Sequence, residues 1–305
     1  MKKRNLGLLF LIIALFLTGC QATQPVKQKG ITVISSLDFY GEIAKAVLGN
    51  HGHVQSIITN PAIDPHDFEP TTQTAKDVAK GQIILSNGLG YDSWMQKLVE
   101  ANNQKGVTDL RVGEDIMKKQ DGDNEHLWYN KKTVPKLANR LADLYAKRDP
   151  KHKAAYHKNA KQYIKSLATL DRKITTIRQH SNGEKVDVSE PVFDYALAET
   201  GYKINNTHFA KSVEDGTDPS PADIKAMQAD IKGHKIAFFV ENTQANDKII
   251  NNLVKLAKDN NVPVLKVTET LPKGLTYKEW MLKQYNQLET IQKGLNNDRS
   301  NSTRK

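Results

Sequence analysis

One cysteine, Cys20, stands in a chain of 305 residues. That excludes an intramolecular disulfide, and it excludes Cys-rich zinc sites and iron–sulfur clusters, which take several thiolates. Aromatic residues make up only 7%, and no basic strand is studded with them. The excess of 44 Lys and Arg over 34 Asp and Glu is spread along candidate helices beside acidic residues. No Arg-rich arm is present, so nucleic acid is not an expected partner. With 26% charged and 38% hydrophobic residues, the chain is neither collagenous nor a multi-span membrane protein. Its length suits about two domains with real cores.

What is present begins at the N-terminus. Lys2, Lys3 and Arg4 precede an apolar stretch from Leu6 to Leu17, which ends in Leu17-Thr18-Gly19-Cys20. The stretch is shorter than the ~20 residues of a permanent membrane span. Small residues before a lone cysteine resemble the bacterial lipobox. The resemblance implies cleavage after residue 19 and a diacylglycerol on Cys20. Residues 20–30 then read as a flexible tether.

From Ile31 the pattern alternates. Strands are expected at Ile31–Ser35, Val54–Ile58, Ile83–Leu85 and Val107–Val112, and helices at Asp38–Leu48, Thr74–Ala79 and Tyr91–Ala101. This βαβαβαβ order favours a parallel sheet over 31–130. The middle, 131–182, is helical throughout. Val134, Leu137, Leu141 and Leu144 form one stripe. Asp149-Pro150 reads as a helix start. Tyr156, Ala160, Tyr163, Leu167, Leu170, Ile174 and Ile177 form a second stripe with no breaker before Ser181-Asn182-Gly183. One helix of about 30 residues, roughly 45 Å long, is expected there as a strut whose ends pack on two domains. Over 183–295 the alternation resumes. Strands are expected at Val186–Ser189, Lys203–Asn205, Ile236–Val240 and Val262–Val267. Helices are expected at Phe193–Thr200, Pro221–Ile231, Asn246–Asp259 and Tyr277–Leu295. The polar tail 296–305 is expected to be disordered. The fold class is therefore α/β: two lobes, each a mainly parallel sheet flanked by helices, joined by one long backbone helix.

In open α/β sheets ligands sit beyond the carboxyl ends of the strands. Polar clusters fall there at Asp64-Pro65-His66-Asp67-Phe68-Glu69-Pro70, Ser189-Glu190-Pro191-Val192-Phe193 and Thr268-Glu269-Thr270-Leu271-Pro272. A fourth, Asn124-Glu125-His126-Leu127-Trp128-Tyr129, precedes the strut. Two imidazoles and two carboxylates, two from each half, suit a divalent transition metal in a cleft between the lobes. Spacings of 60, 64 and 79 residues match no local zinc motif. Core histidines and helix-capping carboxylates remain the alternative for these residues. His51 and His53 flank a glycine turn, where weak metal binding competes with plain exposure, and His208 is a candidate cleft residue.

These clusters carry a resemblance. Their order, with Ser86-Asn87-Gly88-Leu89-Gly90-x-Asp92-x-Trp94, Asp218-Pro219-Ser220-Pro221-x-Asp223-Ile224, Asn242-Thr243-Gln244, Val262-Pro263-Val264 and Tyr277-x-x-Trp280-Met281, resembles the metal-binding lipoproteins of bacterial ABC importers for zinc and manganese. These form the cluster with a rigid backbone helix. The resemblance covers nearly all of the mature chain. It implies one divalent ion, Zn²⁺ or Mn²⁺, as transported ligand, held by His66, His126, Glu190 and Glu269. Glu stands at 269 where the family usually has Asp, so Glu241 is the rival fourth ligand. Asn242 and Gln244 are expected to orient ligands by hydrogen bonds. It also implies a permease partner, a lipid anchor outside the cytoplasm, a monomer, no catalytic residues and limited domain closure. The loop Lys118–Glu125 is acidic without histidine, and the pair of carboxylates suits manganese, whereas Glu190-Pro191-Val192-Phe193 looks like a branch labelled zinc-binding. Other readings are a receptor for a chelated metal or cobalamin-like ligand, with a wide aromatic cleft and arginines, a metal-dependent hydrolase, and an adhesin.

Overall fold

The computed structural model describes residues 30–245 and 247–302, with side chains to Asn297. The signal segment, Cys20 and residues 303–305 lie outside the described residues.

The first sheet contains β1 (Ile31–Leu37), β2 (Gly52–Ile58), β3 (Ile83–Ser86) and β4 (Thr108–Arg111), all parallel, in the order β2-β1-β3-β4. Every residue of β1 is buried, because helices cover both faces of a parallel sheet. The covering helices of this half are α1 (Asp38–Leu48), α2 (Thr72–Val78) and α3 (Ser93–Asn102). Thr71 and Thr74 cap the start of α2 reciprocally, which holds the end of the long loop that carries His66.

The connector begins with α4 (Thr133–Arg148). Asp149 then accepts hydrogen bonds from the His152 ring and the Tyr156 hydroxyl, with Pro150 opening the next turn. The expected single strut is two helices, α5 (Lys153–Ser166) and α6 (Ala168–His180), divided at Leu167. The Leu167 amide bonds Ile164, and the Leu170 amide bonds Leu167. The Ser166 hydroxyl donates to the Tyr163 carbonyl. Tightened i→i−3 bonds and a competing hydroxyl explain a break that hydrophobic spacing does not register. The α5 segment packs on α1, and α6 packs on the last helix.

The second sheet contains β5 (Lys185–Val188), β6 (Lys203–Ile204), β7 (Phe239–Asn242) and β8 (Val264–Val267), again parallel, in the order β6-β5-β7-β8. Its helices are α7 (Asp194–Thr200), α8 (Thr207–Glu214), α9 (Pro221–Lys232), α10 (Lys248–Asp259) and α11 (Tyr277–Ser302). Three departures from the sequence reading matter. First, β7 starts at Phe239, not Ile236. Its partner β8 begins after Pro263, whose carbonyl accepts from Phe239. Glu241 and Asn242 therefore lie inside the strand. Second, α8 has no counterpart among the expected helices. Third, α11 continues through Ser302, so residues 296–302 are helical where disorder was expected. Polar Asn, Asp, Arg and Ser tolerate a helix that is already nucleated by its buried first turns.

One core runs through both halves. Phe39 meets Trp128 at 5.2 Å and Trp280 at 5.6 Å, and Tyr129 meets Phe193 at 4.9 Å. A shared aromatic core opposes wide hinge opening.

Candidate metal centre

Each side chain at the cleft is set by its local frame. Asp92, fully buried, accepts from the Ser36 hydroxyl and the amides of Asn87 and Gly88. This fixes Asn87, whose amide donates to the Glu125 carbonyl at 3.0 Å while its own carbonyl accepts from Tyr40. The 124–126 segment is thereby held on the first lobe. Asn124 reaches across and donates to the Pro191 carbonyl at 2.7 Å.

His126 is fully buried. Its Nδ1 lies 3.0 Å from Asn124 Oδ1, which orients the ring and leaves Nε2 as the free lone pair. Nε2 has no hydrogen-bond partner. It faces Glu214 at 3.7 Å and Glu269 at 3.9 Å. Burial drives the His126 pKa down to about 3, so the imidazole is neutral and able to ligate. His66 lies edge-on to Tyr91, with its Nε2 3.2 Å from Glu125. Burial opposes its charge, but the hydrogen bond and charge of Glu125, with Glu269 and Asp64, raise its pKa overall.

The second lobe supplies carboxylates. Asn242 Nδ2 donates to Glu190 at 2.7 Å and lies 3.4 Å from Glu269. Gln244 Oε1 accepts from the amides of Glu269 and Thr270 at 2.7 and 3.0 Å, and its Nε2 donates to the Pro61 carbonyl of the first lobe. Burial pushes Glu269 up to about 7 and also raises Glu190. Glu214 is pushed up to about 10, by burial and then by Glu125. Clustered carboxylates in a dry site hold protons until a cation replaces them. Beside them opens a cleft of about 540 Å³ lined by Asp64, Pro65, Glu190, Asn242, Gln244 and Glu269.

Of the expected ligands, Glu190 and Glu269 line the open cleft and His126 faces Glu269, whereas His66 belongs to a different tight group. Ligand atoms of His66, Glu125 and Glu214 all lie within 4.8 Å of one another. Sequence reasoning missed Glu125 and Glu214 as site residues. Glu125 sits next to His126 in an already conspicuous cluster, so adjacency was the available signal. Glu214 ends the unexpected helix α8, and no local pattern marks it. Glu241 is in strand β7 beside Asn242, and alternation turns it to the opposite face of the sheet. His208 is exposed and pairs with Asp223 at 2.7 Å, away from this group.

The sequence model of the family described as "ZnuA: Zinc-uptake complex component A periplasmic" matches residues 33–291. The chain is 26% identical over 253 residues to the manganese-binding lipoprotein MntA of Halalkalibacterium halodurans, covering 80% of this chain and 82% of that one. It is 25% identical to the metal ABC transporter substrate-binding lipoprotein ScbA of Streptococcus cristatus, over 97% of this chain and 99% of that one. The structure of an Mn-bound periplasmic metal binding protein from Candidatus Liberibacter asiaticus shares the fold. Its TM-score is 0.69 at 18% identity, over 86% of this chain and 99% of that one.

Proposed function

Because this chain belongs to the family of the periplasmic zinc-uptake component A, we propose that it captures a divalent transition metal, Zn²⁺ or Mn²⁺, outside the membrane and hands it to an ABC-type permease. One observation carries this reading. The buried, unpartnered Nε2 of His126 in the first lobe faces carboxylates of the second. His66, His126, Glu190 and Glu269 are the ligands. Two neutral imidazoles give affinity, and two carboxylates cancel the ion's charge. Before the ion arrives, Glu125 retains His66 and shares a proton with Glu214. Cation entry exchanges these protons for metal.

Three carboxylates, Asp64, Glu190 and Glu269, and two amides, Asn242 and Gln244, share the open cleft with prolines, small apolar residues, threonines and Lys273, and no arginine or aromatic ring is among its described lining residues. That supports a bare ion over a chelate. Four protein ligands leave no open position for an activated water, which supports a carrier over a hydrolase. The rigid shared core confines release to local loosening of the second-lobe loops when the permease docks. Lipid on Cys20 would keep the monomeric carrier at the membrane.

The test is metal stripping followed by competitive titration with Zn²⁺ and Mn²⁺ against a chelator. One tightly bound ion per chain is expected, and Glu190→Ala should weaken it more than Glu214→Ala. Absence of a tight ion would overturn the reading. A larger loss in Glu214→Ala would move the fourth ligand to α8.

A further inference from the structure

Away from the cleft, a second set of donors converges where the first lobe meets the connector. His51 lies in the turn between α1 and β2, and Asp149 and His152 lie in the turn between α4 and α5. One ligand atom from each lies within 4.8 Å of the other two. All three residues are half-buried. The His51 and His152 rings stack with centroids 3.9 Å apart, and Tyr156 meets His51 edge-on at 5.4 Å. Asp149 accepts from His152 Nδ1 at 2.6 Å and from the Tyr156 hydroxyl at 2.7 Å.

We propose that His51, Asp149 and His152 form a second, weaker transition-metal site, with Zn²⁺ as its preferred ion and solvent completing the coordination. Two imidazoles and one carboxylate are a zinc donor set. Tyr156, itself buried, anchors the carboxylate from outside the set, as hydrogen-bonded neighbours of metal ligands do. The ion would replace the hydrogen bond between Asp149 and His152, with a neutral imidazole carrying its N–H on the nitrogen that does not ligate. The donors come from two segments far apart in sequence, so the ion would also clip the α1–β2 turn to the start of the strut. Only one carboxylate balances the 2+ charge, and the site is open to water. Both make it weaker than the cleft.

The experiment is calorimetric titration of the metal-free full chain with ZnCl₂. Two events are expected, the second at least tenfold weaker. In the double variant His51→Gln/His152→Gln the weaker event should vanish while the tight one keeps its affinity. In His126→Ala the weaker event should persist. The single variant His51→Ala, in a surface turn, should weaken the second event more than tenfold and serves if the double variant does not fold. A single event in the wild-type chain, or a second event unchanged in His51→Ala, would overturn the proposal.

Discussion

The Nε2 of His126 lies 3.9 Å from the Glu269 carboxylate, one group from each half of the chain. Neither atom has a hydrogen-bond partner. An imidazole lone pair and a carboxylate oxygen from opposite halves thus face each other, as the proposed coordination requires. Glu269→Ala should therefore lower metal affinity by well over tenfold, more than ~1.4 kcal/mol. Glu241→Ala should cost less than Glu269→Ala, since β-strand alternation sends it to the other face. Chelator competition on refolded, metal-stripped variants measures both. Equal losses, or a larger one for Glu241→Ala, would return Glu241 to the ligand set.

Gln244 binds both lobes at once. Its Oε1 accepts from the amides of Glu269 and Thr270, and its Nε2 donates to Thr270 and to the Pro61 carbonyl. Gln244→Ala should cost about 0.5–1.5 kcal/mol of stability, because Gln244 is exposed and water can take over part of its bonding. It should also cost about 10–100-fold in metal affinity through the misplaced Glu269 loop. Thermal melts with and without Zn²⁺ separate the two effects. An unchanged affinity would show that Glu269 is positioned without it.

The metal-free protein should lose stability as pH rises above neutrality. Glu214, pushed up to about 10, keeps its proton when folded and gives it up when unfolded near 4.5. The folded state then binds more protons between about 4.5 and about 10, so stability falls with pH across that range, including the interval from 7 to 9 that the other groups leave clear. Glu269, raised to about 7, acts in the same direction at lower pH. His126, lowered to about 3, acts oppositely but only below about 6.5, where the unfolded histidine titrates. Melting temperature against pH in Glu214→Gln should lose the decline between 7 and 9; persistence of the full decline would assign it elsewhere.

Metal loading should reverse that sign. Deprotonated ligands bind the cation, so the stabilisation by a fixed excess of Zn²⁺, RT ln(1 + [L]/Kd), should grow between pH 6 and 8. Proton release on binding, read by calorimetry in buffers of different ionisation enthalpy, checks it. Binding without proton release would contradict the proton-filled cleft.

Replacement of Cys20 by alanine should leave the chain unprocessed or free it from the membrane fraction. A variant processed and membrane-bound like the parent chain would refute the lipid anchor expected from Leu17-Thr18-Gly19-Cys20.

Much of the fold was legible along the chain, because it rests on local physics. The buried run Ile31–Leu37, the amphipathic α1, and the period-2 to period-3.6 alternation name a parallel α/β sheet twice over. His66, His126, Glu190 and Glu269 were legible as candidates too, since each follows a strand or precedes the connector inside a proline-rich or aromatic cluster. What only the tertiary structure decided is how those groups meet. Leu167 divides the strut through backbone bonds that no side-chain period records. Register with β8 sets where β7 starts, and so which way Glu241 points. Glu214 reaches this site because α8 packs against the Pro191–Phe193 turn, and His51 meets Asp149 and His152 because α1 lies against α5. Residues that far apart in sequence become neighbours through core packing, and core packing is a property of the whole chain rather than of any window of it.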